Sequence, residues 1–218
     1  MDGFSSLKPL GKRWTAGYNG IKISEKVCSV EPKALLAILH QAEQLKCVTR
    51  HCDTSSGRRE SVAEHSWRLA LMAMLTGDAF PELDIHKVIR MCLIHDLGES
   101  FTGDIPAFEK VPGHREREQT QLRAWFETFP EPSRAEFLSL QREMNEMETG
   151  EARLYKALDN LEAVIQHNES DISTWLPLEY DLQLVYGEDK VAFSPYLQEL
   201  KAVIDTWTRR KIAEEGKK

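Results

Sequence analysis

The chain has 218 residues, of which 41% are apolar and 29% are charged, and its formal net charge is -7. This length fits one large domain or one domain with terminal extensions, and the apolar share is enough for a hydrophobic core. The negative charge argues against a nonspecific nucleic-acid surface. No apolar run approaches the roughly 20 residues that span a bilayer. We therefore expect a globular protein with neither a nucleic-acid polymer nor a membrane as its partner.

The cysteines indicate a reducing compartment. They show no CxxC pair and no disulfide framework, which is typical of free thiols. The N-terminal segment up to Trp14 lacks the apolar stretch of a signal peptide. These features favour a cytoplasmic protein. The four cysteines are Cys28, Cys47, Cys52 and Cys92.

Hydrophobic periodicity divides the chain into an arm, one domain and a short tail. Residues 1–31 are rich in Gly, Lys and Ser and have weak periodicity, so we expect an extended arm. Helical patterns follow one another over residues 32–213, and residues 214–218 are left as a tail. No alternating strand pattern stands out, so the sequence predicts a single all-α domain built as a helical bundle.

Two helices in the first half of the chain have clear start signals. Ser61 and Glu64 form a capping-box pattern before an apolar run, which predicts a helix to about Ala79. Asp84 is the predicted N-cap of the next helix, whose apolar stripe continues toward Gly98. The remaining predicted elements are a helix from Pro32, a loop over 49–60, helices over about 114–129, 132–148, 151–168 and 195–213, and a short helix near 178–185.

Ionisable side chains interrupt the apolar stripes of these helices. The stripe of the helix after the Asp84 cap continues by one turn onto His95, Asp96 and Glu99. His65 lies within the inward face of the preceding helix, and Asp159 borders the stripe of a later helix. Taken singly, each could be a hydrogen-bonded core residue or a solvated one. Together they predict a bound cation, because burying such groups without partners is costly and a metal pairs with imidazole and carboxylate directly.

The motifs around these residues resemble those of a known family, the HD-domain metal-dependent phosphohydrolases. That family carries a His, then a His-Asp doublet, then a distant Asp, and the match covers roughly residues 33–205. The resemblance is closer to one branch, the small bacterial 5'-deoxynucleotidases and their eukaryotic HD-domain relatives. The motifs that carry it are Arg59–Ser66, His95–Glu99, Gly103–Pro106 and Leu158–Asn160.

The resemblance implies a metal site inside a helical bundle of the HD-domain type. Glu99 and Asp104 would be catalytic residues. Two-metal members add histidines between the doublet and the last Asp, whereas this chain has only His114 there, which favours one divalent ion (Mn, Co, Fe, Mg or Zn). The implied ligands are His65, His95, Asp96 and Asp159.

The resemblance also implies substrate contacts on the segment before the first metal-binding helix. Arg50 lies fifteen residues before His65, where the deoxynucleotidases use an arginine on the substrate phosphate. Those enzymes place a tryptophan directly after it, near the nucleoside, whereas this chain has His51, and this departure is the feature that favours the alternative of another small phosphate ester. Arg59 would either extend the phosphate site or face solvent.

The leading functional hypothesis is a metal-dependent enzyme that releases phosphate from (deoxy)nucleoside 5'-monophosphates. One alternative keeps the metal site but takes another small phosphate ester or a signalling nucleotide. Another is a nucleotide-binding sensor without turnover. Since relatives of this type are often dimers, the resemblance also implies a homodimer.

Overall fold

The computed structural model describes residues 30–215. Almost all of the arm predicted over residues 1–31 therefore lies outside the described residues, as do Cys28 and the end of the tail. The helices of the described part are α1 (Pro32–Ala42), α2 (Val62–Thr76), α3 (Ile85–Ile94), α4 (Glu99–Thr102), α5 (Pro112–Phe126), α6 (Ser133–Glu146), α7 (Gly150–Glu169), α8 (Glu179–Val185), α9 (Glu188–Val191) and α10 (Pro195–Glu215).

The segment predicted as a loop contains a β-hairpin. Strand β1 (Thr49–Asp53) pairs antiparallel with β2 (Arg59–Ser61), and Gly57 closes the turn with a φ of +80°, a conformation that glycine adopts readily. The prediction of a loop throughout was wrong here, because these short strands carry mostly polar side chains and leave no alternating apolar pattern. The helical architecture predicted for the rest of the domain is confirmed.

Helices α2, α3 and α7 pack on one another and form the centre of the fold, and α10 packs on α7 as well. Leu69 of α2, Val88 of α3 and Leu158 of α7 are completely buried in this core. Burying one such side chain contributes about 1.5–3 kcal/mol. The core therefore fixes the relative positions of the three helices.

The predicted helix starts are confirmed by their capping contacts. The Ser61 hydroxyl accepts a hydrogen bond from the Glu64 N–H, and the Glu64 carboxylate accepts one from the Ser61 N–H. Asp84 accepts a hydrogen bond from the Lys87 N–H at 3.0 Å. Helix α3 ends at Ile94, whereas its apolar stripe was predicted to continue toward Gly98. The His-Asp doublet therefore lies directly after the helix.

Large apolar side chains on α1 and α2 are exposed. Trp67 is 64% exposed and Leu75 is 76% exposed, although both lie on a helix that packs in the core. On α1 no residue is buried. The other exposed apolar residues of these two helices are Leu35, Leu36, Leu39, Leu71 and Met74.

Within residues 30–215, no helix combines the length and apolar character that a membrane crossing requires.

Candidate metal centre

The four side chains predicted as metal ligands come together at the meeting point of α2, α3 and α7. His65 Nε2 lies 3.2 Å from His95 Nε2 and 3.1 Å from Asp159 Oδ1. Asp96 Oδ2 lies 2.9 Å from His95 Nε2. The two imidazoles and Asp159 are buried, and Asp96 is half-buried. Four ligand atoms, from α2, from the turn that follows α3 and from α7, therefore converge on one small volume.

The ring nitrogens on the far side of both histidines are tied to the protein. His65 Nδ1 contacts the carboxylate of Glu162, and His95 Nδ1 lies 2.9 Å from the Cys92 carbonyl oxygen. Arg68 Nε in turn donates to Glu162 at 2.6 Å. Partners of this kind orient a metal-binding imidazole and direct its other nitrogen at the ion. Both Nε2 atoms thus point into the cluster.

The electrostatics of the cluster also suit a cation. Burial opposes a charge on His95, but Asp96 and Asp159 outweigh it and raise the pKa of His95 to about 10. Burial opposes a charge on His65 too, yet Glu162 and Asp159 raise its pKa. The neighbouring carboxylates thus favour the protonated form of both imidazoles. A divalent cation would take the place of those protons, so the residues fit a metal.

Glu99 lies beside the cluster and is only 2% exposed. Burial, with the nearby charges of Asp96 and Asp104, raises the pKa of Glu99 to about 10. Lys110 Nζ lies 3.5 Å from Glu99 Oε1, while Glu99 Oε2 is buried without a hydrogen-bond partner among the described residues. Asp104 lines the same cleft and is half-buried. The pair predicted to be catalytic therefore faces one cavity, and Glu99 can carry a proton at neutral pH.

Arg50 enters this cleft from β1. Its Nη1 lies 3.7 Å from Asp96 Oδ2, and its Nε lies 3.3 Å from Glu60 Oε2. Arg59, by contrast, lies outside the cleft: it pairs with Asp53 at 3.4 Å and its side chain is 51% exposed. The structure brings Arg50 to the metal cluster and leaves Arg59 on the outer side of the hairpin, so the predicted substrate contact of Arg59 is not supported.

The cleft continues away from the cluster to a second group of polar side chains. His51 faces Glu179, with 3.4 Å between His51 Nε2 and Glu179 Oε1. His167 Nε2 lies 3.0 Å from the same oxygen. Gln183 lines this end as well. His51 was predicted as a substrate contact, whereas the other three were not singled out.

Two further residues of the cluster were missed. Lys156 Nζ lies 2.7 Å from Asp159 Oδ2, and despite burial it lowers the pKa of Asp159. Glu162, the partner of His65, is also on α7. Lys156 and Glu162 are three residues before and after Asp159, which places all three on one face of the helix. That spacing is the signal that could have found them. For Glu179, in a segment of weak periodicity, the sequence holds no comparable signal.

Comparisons with known proteins indicate the family of the chain. A family model described as HD domain matches residues 42–201. The 5'-deoxynucleotidase HDDC2 of Homo sapiens is 33% identical over 142 residues, which are 63% of this chain and 68% of that protein. A crystal structure of a predicted metal-dependent phosphohydrolase from Magnetospirillum magnetotacticum is 29% identical with a TM-score of 0.70, and the match covers 82% of this chain and 93% of that one.

A more distant structure shares the fold. The HD phosphohydrolase DatZ of cyanophage S-2L, solved with dA and one catalytic Zn²⁺ ion, is 24% identical with a TM-score of 0.52. The match covers 80% of this chain and 96% of that one. At this identity the likeness extends to the arrangement of the helices alone.

Proposed function

This chain belongs to the HD-domain family, and from that membership we propose that it is a metal-dependent phosphohydrolase that acts on (deoxy)nucleoside 5'-monophosphates. One observation carries the proposal: His65, His95 and Asp159 converge from three helices on a cleft that also holds Arg50 and Glu99. Relatives about one third identical are named 5'-deoxynucleotidase, which supports the nucleotide substrate.

The ligand set suits one divalent ion. Two imidazole nitrogens and two carboxylates are compatible with Mn²⁺, Co²⁺, Fe²⁺, Mg²⁺ or Zn²⁺. When bound, the metal polarises a phosphate oxygen and lowers the pKa of a water molecule. The ligand residues of this proposal are His65, His95, Asp96 and Asp159.

A second group of buried ligand atoms, on Glu60, His65 and Glu162, does not call for a second metal. Arg50 Nε lies 3.3 Å from Glu60, and Arg68 donates to Glu162 at 2.6 Å. Guanidinium groups already balance both carboxylates, and His65 Nδ1 is already in contact with Glu162. These pairings support a single-metal site.

The protein's own residues divide the remaining work. Arg50 is placed to hold nonbridging phosphate oxygens, since its planar fork of N–H donors matches that geometry. Asp104 orients the attacking water or accepts its proton, and Glu99 helps to orient that water. Glu99, which holds a proton at neutral pH, can donate it to the leaving 5'-oxygen, a role that suits a buried carboxyl of raised pKa.

Oligomeric state and compartment belong to the same proposal. Exposed apolar surface on α1 and α2, which includes Leu36, Trp67 and Leu75, supports a homodimer, because patches of this kind commonly mark interfaces. Sedimentation of the purified chain would test it. The cytoplasmic location stays a prediction from the cysteine spacing.

The decisive experiment measures phosphate release from ribo- and deoxynucleoside monophosphates and from sugar phosphates. The protein is stripped with a chelator and reloaded with each divalent metal in turn. We expect release from nucleotides that depends on added metal. Release from sugar phosphates alone would favour the alternative of another phosphate ester. Nucleotide binding without release under every metal would instead favour the sensor.

A further inference from the structure

The cleft has a floor that runs along α7. Lys156, Asp159, Ala163 and His167 all line it, and their intervals of three, four and four residues place them in one row on the helix surface. Asp159 and His167 are eight residues apart, which is about 12 Å along the helix axis. Ala163, between them, carries only a methyl group and leaves space above the helix. The row thus joins the metal cluster to the polar end of the cleft.

The carboxylate at that polar end is held firmly by the protein. Glu179 is 1% exposed. Its Oε1 faces His167 Nε2 at 3.0 Å, and its Oε2 accepts a hydrogen bond from the Leu176 N–H at 2.7 Å. His167 is itself fixed, because its Nδ1 lies 2.8 Å from the Ala163 carbonyl oxygen. A buried carboxylate with this support is a preorganised hydrogen-bond acceptor.

Two polar side chains beside Glu179 line this end of the cleft. His51 Nε2 is buried and has no hydrogen bond within residues 30–215, and it lies 3.4 Å from Glu179 Oε1. Gln183 is 4% exposed and lies at the same end of the cleft. Nearly all buried polar groups are hydrogen-bonded, so a buried nitrogen such as His51 Nε2 at the end of a cleft points to a ligand.

We propose that His51, Glu179 and Gln183 form the subsite for the nucleoside part of the substrate, where a hydroxyl or amino group donates a hydrogen bond to Glu179. This inference rests on the proposed function, because the metal cluster and Arg50 fix the phosphate at the other end of the α7 row. The length of that row suits a nucleoside monophosphate.

The surroundings of the subsite explain why it takes a neutral group. The carboxylate of Glu179 repels a second phosphate, which favours monophosphates over substrates that also carry phosphate on the sugar. Phe108 meets the His51 ring edge-on, with centroids 5.4 Å apart, and Ile105 and Pro106 add apolar wall. An apolar wall with one hydrogen-bonding group strongly rejects an analogue that lacks the matching donor.

The test compares Glu179→Gln with the wild type on 5'-monophosphates that differ by one donor. One series varies the sugar (ribose, 2'-deoxy, 3'-deoxy, 2',3'-dideoxy), and the other removes the amino group of the base. We expect kcat/KM for the donor-bearing substrate to fall about 10- to 100-fold in the variant, while kcat/KM for the analogue without the donor stays unchanged. The series that shows this pattern identifies the donor as a sugar hydroxyl or a base amine.

Two further variants distinguish a specific effect on the subsite from a general loss of structure. Glu188→Gln removes the same charge from an exposed residue of α9 outside the cleft and should match the wild type. His51→Phe keeps a ring against Phe108 but removes Nε2, and it should lose the same discrimination between substrates.

The outcomes separate this inference from the proposed function. An equal fall for every substrate in Glu179→Gln, or no change for any, would overturn the subsite. If the wild type releases phosphate from no nucleotide, the proposed function fails, and calorimetric titration with the same compounds still decides the subsite. Donor-dependent weakening of binding in Glu179→Gln would support it, and unchanged binding would overturn it.

Discussion

The two ends of the cleft are built in different ways. At the metal end, the ring nitrogens that point away from the cluster are tied to Glu162 and the Cys92 carbonyl oxygen, on helices that share one hydrophobic core. At the nucleoside end, His51 comes from a strand and Glu179 from a short helix, and His51 Nε2 makes no hydrogen bond within the described part of the chain. This contrast indicates that the metal end is arranged for one small ion, whereas the nucleoside end has an unused hydrogen-bonding group for a larger ligand.

The largest expected effect comes from removing a ligand at the metal end. Asp159→Asn replaces a charged ligand with a neutral amide beside two imidazoles. We expect loss of bound metal and a fall in kcat greater than the roughly 100-fold that loss of a residue behind a ligand causes. Elemental analysis and phosphate release measure the two effects. Asp181→Asn, on the exposed side of α8, is the control, and a fully active Asp159→Asn would contradict the ligand assignment.

A smaller effect is expected where the metal end meets the phosphate. Glu99→Gln keeps the shape of the side chain but can neither donate nor accept the catalytic proton. We expect kcat to fall about 10²- to 10⁴-fold, with metal content retained. Metal analysis of the same preparation separates this result from loss of the ion. Wild-type kcat in the variant would remove Glu99 from the mechanism.

Glu162 orients the metal ligand His65, so its replacement should affect metal affinity more than the catalytic step. Glu162→Gln weakens the contact that orients His65, so we expect metal affinity to fall about 10- to 100-fold and activity to return with excess metal. A competitive metal titration measures it. Glu169→Gln is a matched control, because Glu169 also pairs with Arg68 but does not contact His65. Equal affinities in both variants would show that the Glu162 contact does not matter.

The smallest effect is expected outside the cleft. Arg58 pairs with Glu64 on the hairpin, where the side chains are 58% and 41% exposed. Arg58→Ala should lower the free energy of unfolding only slightly, because an exposed ion pair contributes little, and it should leave activity unchanged. A larger loss, or a change in KM, would extend the site to this face of the hairpin.

The same pair has a defined pH dependence. Arg58, with help from the Ser61 N–H, lowers the pKa of Glu64 from 4.5 to about 2. Since the folded pKa is below the ordinary value, the stabilisation is present above pH 4.5 and is lost as the pH falls toward 2. Urea unfolding at pH 7 and in acid should therefore show the difference between wild type and Arg58→Ala shrinking in acid.

The features of this molecule that could be predicted from the sequence are those that leave a local pattern in it. His65, His95 and Asp96 interrupt apolar stripes of helices with clear start signals, and Asp159 borders the stripe of a later helix, so periodicity predicted that these residues lie at or beside the core. That His65 and Glu162 are in contact depends on how α2 packs on α7, which no local pattern records.

The features that the sequence left open or did not indicate have a physical cause as well. Arg59 lies within a motif but on the outward side of a strand, and the hairpin that turns it outward has too little apolar character to be seen in the sequence. His167 and Glu179 are twelve residues apart across an irregular segment, so their pairing depends on tertiary structure. The nucleoside end was therefore the harder half to predict.

The segment between α4 and α5 touches both ends of the cleft. Its Lys110 lies 3.5 Å from Glu99, and its Phe108 packs edge-on against His51. Displacement of this segment would break both contacts in one movement. We expect a ligand that spans the cleft to displace this segment on entry, and the opening rate would then limit turnover. Solvent viscosity would then influence the catalytic cycle even though no bond to phosphorus is broken in that step.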